Sequence, residues 1–232
     1  LKSLAEMEAR NVTIPVGGER TSGLLLRPQN AKALYVFAHG AGAGMTHKAM
    51  ASNADGLAAR GIATLRYQFL YMEKGGKRPD PPKLAHVAVR SAVAEAALLA
   101  PDLPLFAGGR SFGGRMTSQA QAESPLPGVI GLAFLGFPLH PAGKPGAERA
   151  DHLSRVSIPM LFVSGTRDAL AELNLLQPAV AGLGKRATLK LIDHADHSFN
   201  VLKSSGRTST EAEAEALDAF AAWVGAPSSL AR

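Results

Sequence analysis

The chain has 232 residues, 46% of them hydrophobic and 19% charged, with a formal net charge of +6. That composition carries ample apolar material for one core and excludes disordered, collagenous and coiled-coil classes. No run reaches the roughly eighteen apolar residues of a membrane-spanning helix, and the lack of any cysteine excludes disulfides, thiolate metal sites and a cysteine nucleophile.

The opening stretch Leu1 to Arg10 is mixed and charged, without the basic head and apolar run of an export signal, so a cytoplasmic setting is expected. Two alternating segments follow, Asn11 to Val16 and Thr21 to Arg27, separated by Gly17-Gly18, and this pattern predicts a hairpin. The pattern then changes to short runs that are apolar throughout: Ala33 to Ala38, Ile62 to Arg66, Leu103 to Ala107, Val129 to Leu135, Met160 to Ser164 and Ala187 to Ile192. Strands covered by helices on both faces read this way. Helical periodicity separates them at Lys48 to Arg60, Leu84 to Leu99, Phe112 to Ala122, Leu170 to Leu183 and Thr210 to Val224, the last preceded by the capping-box pair Thr208 and Glu211. Alternating strands and helices predict an α/β fold: a mostly parallel sheet of about seven strands, helices on both faces, one domain over 1–232. Two irregular stretches remain, Tyr71 to Lys83 and Phe137 to Pro159, the second too short for a separate cap domain.

Ligands of open parallel sheets bind beyond the carboxyl ends of the strands. After the run ending at Ala107 comes Gly108-Gly109-Arg110-Ser111-Phe112-Gly113-Gly114, a GxSxG pattern between a buried strand and a helix. Such a turn holds the serine backbone in strained dihedrals and lifts its hydroxyl clear of the sheet. Another strand end carries His39-Gly40-Ala41-Gly42-Ala43-Gly44, where a glycine-rich turn can present backbone N–H groups to an oxyanion. Phe112 and Ala41 are the expected donors, with Gly42 the alternative to Ala41. The turn lacks the signatures of a P-loop or a dinucleotide site.

A serine nucleophile needs a base, and the base needs an orienting carboxylate. Elbow serines of this kind are followed in the chain by an acid and then a histidine. Asp168 follows the run Met160 to Ser164, and the last strand ends before Asp193-His194-Ala195-Asp196-His197-Ser198-Phe199, so the order leaves two of seven histidines, His194 and His197. Asp168 could instead cap a helix beginning at Ala169. His39 precedes the serine and is expected to tie the glycine turn to neighbouring backbone. His47, His86, His140 and His152 show no metal-ligand spacing, and no metal or cofactor is expected. Arg110 either shapes the elbow or meets an anionic substrate, the former being the expectation.

Three motifs, His-Gly-Ala-Gly, Gly-Gly-Arg-Ser-Phe-Gly-Gly and Asp-His-Ser-Phe, resemble those of the alpha/beta hydrolase superfamily, in particular its small capless branch similar to dienelactone hydrolase. The resemblance runs from His39 to the final helix and implies Ser111 as nucleophile, Asp168 as acid partner and His197 as base. Dienelactone hydrolase itself uses cysteine, so Ser111 moves the implied reaction toward hydrolysis of ordinary carboxylic esters or thioesters. A peptidase, an acyltransferase or a binding protein without turnover are the alternatives on the same fold. Tyr71, Met72 and Leu139, with Phe69, Leu70, Pro138 and Phe199, are expected to form an apolar rim for a small-molecule substrate. Lys74, Lys77 and Arg78 form the only loose basic cluster and read as a solvated loop. Neither a basic helix nor a basic, aromatic-interleaved strand marks a nucleic-acid site, and the sequence leaves the oligomeric state open.

Overall fold

The computed structural model describes residues 8–226, so the first seven residues of the segment read for an export signal lie outside it. Strands β1 (Arg10–Val16) and β2 (Glu19–Leu26) form the hairpin. The strands β3 (Ala33–Ala38), β4 (Ile62–Tyr67), β5 (Leu105–Arg110), β6 (Val129–Leu135), β7 (Met160–Gly165) and β8 (Ala187–Ile192) complete one eight-stranded sheet in the order β1-β2-β4-β3-β5-β6-β7-β8. About seven strands were expected, and both strands of the hairpin join the sheet. β2 runs antiparallel to β1 and β4, and all other neighbours are parallel.

Every residue of β3, β4 and β7 is buried because both faces are covered. Successive side chains of a strand point to opposite faces. In β3, Leu34 and Val36 join the core under α3 (Pro82–Leu99) and α4 (Phe112–Glu123), where Val89 and Met116 meet them. The alternate residues Tyr35 and Phe37 join the core under α1 (Lys48–Ala59) and α6 (Ser209–Gly225), with Leu57 and Phe220. Two shorter helices complete the set in chain order, α2 (Leu70–Glu73) between β4 and α3, and α5 (Leu173–Ala181) between β7 and β8. The capping box forms: Thr208 accepts from the Glu211 N–H, and the Glu211 carboxylate accepts from the Thr208 N–H. No cap domain is inserted among the described residues, and none of their helices is long and apolar enough to cross a membrane.

Some boundaries differ from the sequence reading for local reasons. β5 starts at Leu105 rather than Leu103, since Pro104 has no N–H for the ladder, although its carbonyl accepts from Leu34. α3 starts at Pro82 rather than Leu84, a first-turn position that suits the fixed φ of proline. α5 starts at Leu173 rather than Leu170, because Asp168 closes a turn onto the Leu170 N–H and Glu172 becomes the N-cap.

The chain leaves β3 toward β4 on one side and later enters β5 on the other, so the sheet's switch point lies between the carboxyl ends of β3 and β5. The crossing there is tight. A Cβ on Gly113 would sit 2.5 Å from the His39 carbonyl oxygen and 2.6 Å from that of Ala38, and one on Gly109 would sit 2.4 Å from the latter. These obstacles are backbone and cannot rotate away. Gly113→Ala is therefore expected to cost about 3 kcal/mol, or roughly 6–12 °C in thermal midpoint, by forcing α4 off β3. A midpoint within 2 °C of wild type by calorimetry would refute that close packing.

Candidate active site

The crevice at the switch point is bounded by the two turns that the sequence singles out. Ser111 is the residue between β5 and α4, with φ 48° and ψ −116°. A side chain held in that region costs on the order of 1–3 kcal/mol. The turn is held from both sides: the Ser111 N–H donates to the Leu135 carbonyl, and its carbonyl accepts from Arg115 at 3.1 Å.

His197 reaches Ser111 from the loop after β8. The Ala195 and Val201 backbones form a bridge, and the Asp196 carboxylate accepts from the N–H groups of Ser198 and Asn200. The loop therefore presents the imidazole from a fixed frame. Its Nε2 lies 2.9 Å from Ser111 Oγ, and its Nδ1 lies 2.8 Å from Asp168 Oδ2. The Asp168 side chain is fully buried, whereas that of His197 is 21% exposed. Asp168 Oδ1 also accepts from the Leu170 N–H at 2.8 Å. Local turn-capping and contact with the imidazole, set against each other in the sequence reading, are thus performed by different oxygens of one carboxylate. His194 is exposed on the same loop with φ 63°, and its N–H donates to Thr166 Oγ1.

His39 is wholly buried behind the glycine turn. Its Nδ1 lies 2.7 Å from the Gly40 carbonyl, and its Nε2 accepts from the Phe69 N–H at 3.1 Å. A protonated ring would set N–H against N–H at Phe69, and burial lowers the pKa from 6.5 to about 4. Burial, with Arg155 and Arg115 nearby, likewise lowers His152 to about 4. Both groups bind fewer protons folded than unfolded, so their contribution is complete above pH 6.5 and is lost as pH falls toward 4. For His39 alone the loss is on the order of 3 kcal/mol. The thermal midpoint is accordingly expected to fall steeply between pH 6.5 and 4, and a flat profile would contradict the neutral, doubly bonded ring.

Among the described residues, neither the Phe112 nor the Ala41 N–H has a hydrogen-bond acceptor within the protein. Two hollows meet at Ser111 and Ala41. The first, of about 480 Å³, includes Gly42, Met50, Arg110, His197 and Asn200. The second, of about 450 Å³, includes Phe112, Arg115, Pro138, Arg149 and Leu170. Ala41 borders both, whereas Gly42 borders only the first.

Arg110 donates to Asn53 Oδ1 at 2.8 Å and lies over the Phe199 ring, while Asn53 in turn donates to Glu213. Burial lowers its pKa, with Glu213 and Asp196 opposing. It is thus structurally engaged and also lines the first hollow.

The expected apolar rim is largely elsewhere. Leu139 is 1% exposed and packs in the core, and Tyr71, Met72 and Leu139 line neither hollow. Phe69, Leu70 and Phe199 are also buried, so of that group only Pro138 borders a hollow. An apolar residue in an irregular stretch reads the same in sequence whether it faces a cleft or the core beneath. Tyr71 instead donates its hydroxyl to the Ala41 carbonyl at 2.7 Å, and burial raises its pKa to about 12. In the loop cluster, Lys74 pairs with Glu19, while Lys77 and Arg78 are exposed. Sequence reasoning missed Arg115 and Arg149, whose 34-residue separation gives no local signal.

An open, mostly parallel sheet with a serine turn at its switch point, and an acid and a histidine on later strand ends, defines an α/β fold of the nucleophile-elbow type. Residues 31–225 match the model of the alpha/beta hydrolase domain, and the chain belongs to that family. Its fold is also found in solved structures of low sequence identity. The dienelactone hydrolase from Anabaena variabilis ATCC 29413 is 23% identical, with 93% of this chain and 97% of that one covered and a TM-score of 0.73. A Xanthomonas campestris protein described as an a/b serine hydrolase without lid is 18% identical over 95% and 97%, with a TM-score of 0.71. Est1E from Butyrivibrio proteoclasticus, solved with ferulic acid bound, is 18% identical over 90% and 99%, also with a TM-score of 0.71.

Proposed function

We propose that the protein is a serine hydrolase that cleaves carboxylic esters or thioesters of small molecules through an acyl-enzyme on Ser111. The observation that carries this reading is the unbroken chain from Ser111 Oγ to His197 Nε2 at 2.9 Å and from His197 Nδ1 to Asp168 Oδ2 at 2.8 Å. The ferulic acid held by Est1E is a carboxylic acid, which is the product class of this reaction.

His197 Nε2 takes the Ser111 hydroxyl proton as Oγ bonds to the substrate carbonyl carbon, and the carbonyl electrons move onto oxygen. The Phe112 and Ala41 N–H groups receive that oxyanion. The intermediate collapses, the bond to the alcohol or thiol breaks, and the leaving group takes the proton from Nε2. Water then attacks the acyl carbon, with His197 as base, and releases the acid and free Ser111. Asp168 holds the imidazole with its Nδ1 proton inward, which leaves Nε2 free to accept. Because His197 lines the first hollow, the leaving group departs there and the acyl group occupies the second.

Tyr71 acts here as a positioning residue, since its hydroxyl fixes the carbonyl of Ala41. Tyr71→Phe is expected to lower kcat by about tenfold with little change in KM, as one neutral hydrogen bond that holds a transition-state donor is lost. An unchanged kcat would remove Tyr71 from this role.

The experiment for the reading as a whole is steady-state hydrolysis of matched aryl esters, thioesters and anilides by wild type and by His197→Asn. Cleavage of the ester or thioester that His197→Asn abolishes supports it. A protein that cleaves none of them, or cleaves them equally well without His197, refutes it.

A further inference from the structure

The second hollow carries two guanidinium groups that, among the described residues, form no ion pair. Arg115 stands one helical turn beyond Ser111 in α4, and its guanidinium lies 5.9 Å from the centre of the Phe112 ring. Its Nε is buried and, among the described residues, has no hydrogen-bond partner. Arg149 enters the same hollow from the 3-10 helix Glu148–Arg155, which packs on α4. Among the described residues neither guanidinium meets a carboxylate within 4.0 Å, and neither donates a side-chain hydrogen bond. Desolvation lowers the pKa of Arg115, and Arg149 lowers it further. Two like charges thus face one space, one of them with a buried donor unused, which is costly without an anion.

The surroundings restrict what that anion is. Asp80 also lines the hollow, with Oδ2 accepting from the Tyr71 N–H at 3.1 Å. His140, also on the wall, is held by the Glu172 carboxylate at 2.5 Å. Of the Arg and Asp side chains that line the hollow, Arg115 and Arg149 against Asp80 leave one positive charge, which a monoanion balances and a dianionic phosphate would exceed. The remaining wall at Phe112, Pro138 and Leu170 is apolar. From these residues we infer that the second hollow is a subsite for an acyl group ending in a carboxylate, so that the preferred substrates are monoesters or monothioesters of dicarboxylic acids, with Arg115 and Arg149 binding the free carboxylate. This rests on the proposed hydrolase reading, which places the acyl group in that hollow.

The test compares kcat/KM for 4-nitrophenyl hydrogen adipate with that for 4-nitrophenyl hexanoate, matched in acyl length. Charge-assisted hydrogen bonds of this kind correspond to a preference of about ten- to a hundred-fold for the anionic ester. That ratio is expected to fall at least tenfold in Arg149→Gln and in Arg115→Gln, and to recover in part in Arg115→Lys. Arg149 is half-buried on a short helix, so its replacement remains informative even where an Arg115 variant fails to fold. A wild-type ratio of one or below, or a ratio unchanged by Arg149→Gln, would overturn the subsite. If neither ester is cleaved, the hydrolase reading fails and the subsite is judged by calorimetry of monomethyl adipate on Ser111→Ala. Binding that weakens at least tenfold when Arg149→Gln is added supports it, and no binding, or binding that Arg149→Gln leaves unchanged, overturns it.

Discussion

Replacing Ser111 by alanine is expected to lower ester turnover by about four to six orders of magnitude while leaving the fold intact. The residual rate expected is what the proposed oxyanion donors, the Phe112 and Ala41 N–H groups, and substrate binding would still supply. Loss of fold would not be the cause, because alanine keeps the Cβ and the same strained backbone at φ 48°. Glycine relieves that strain, so Ser111→Gly is expected to be as inactive as Ser111→Ala yet about 1 kcal/mol more stable. Single-turnover kinetics and thermal denaturation of the two variants separate chemistry from backbone. An alanine variant within tenfold of wild type would remove Ser111 from the reaction.

Asp168→Asn is expected to lower kcat by about 10⁴, and the geometry gives the reason. The Leu170 N–H needs an acceptor, which Oδ1 now provides at 2.8 Å. An asparagine keeps that bond by turning its carbonyl oxygen to Leu170, and its amide NH₂ then faces His197 Nδ1. The imidazole must respond by placing its proton on Nε2, where it can no longer accept the Ser111 proton. The defect thus lies in the tautomer, with the positions of the rings little changed. Asp168→Ala removes both bonds and is expected to lose stability as well as activity. A kcat for Asp168→Asn near that of wild type would show that the carboxylate does not set the tautomer.

Much of this architecture is legible in the sequence because its physical causes are local. The unbroken apolar runs of β3, β4 and β7 follow from burial on both faces, and the glycines around Ser111 follow from backbone that passes within van der Waals contact. The order of Ser111, Asp168 and the two candidate histidines is likewise readable, since each follows a strand. Which side chains face the crevice is not. Tyr71 and Leu139 have the composition of a substrate rim, yet one pins the glycine turn and the other fills the core. Arg115 and Arg149 acquire meaning only when α4 and the 3-10 helix bring them together. The double use of the Asp168 carboxylate has no sequence signal either, because capping and catalysis call for the same residue type. Order along the chain does not separate His194 from His197; the fold does, leaving His194 exposed with φ 63° while the His197 ring lies between Ser111 and Asp168.

The most direct measurement is intact mass after treatment with a fluorophosphonate, made on wild type and Ser111→Ala side by side. One adduct is expected on wild type, localised to Ser111 and absent from the variant, because only a hydroxyl activated by a base such as His197 reacts rapidly at neutral pH. An adduct that persists in Ser111→Ala, or none on folded wild type, would contradict it.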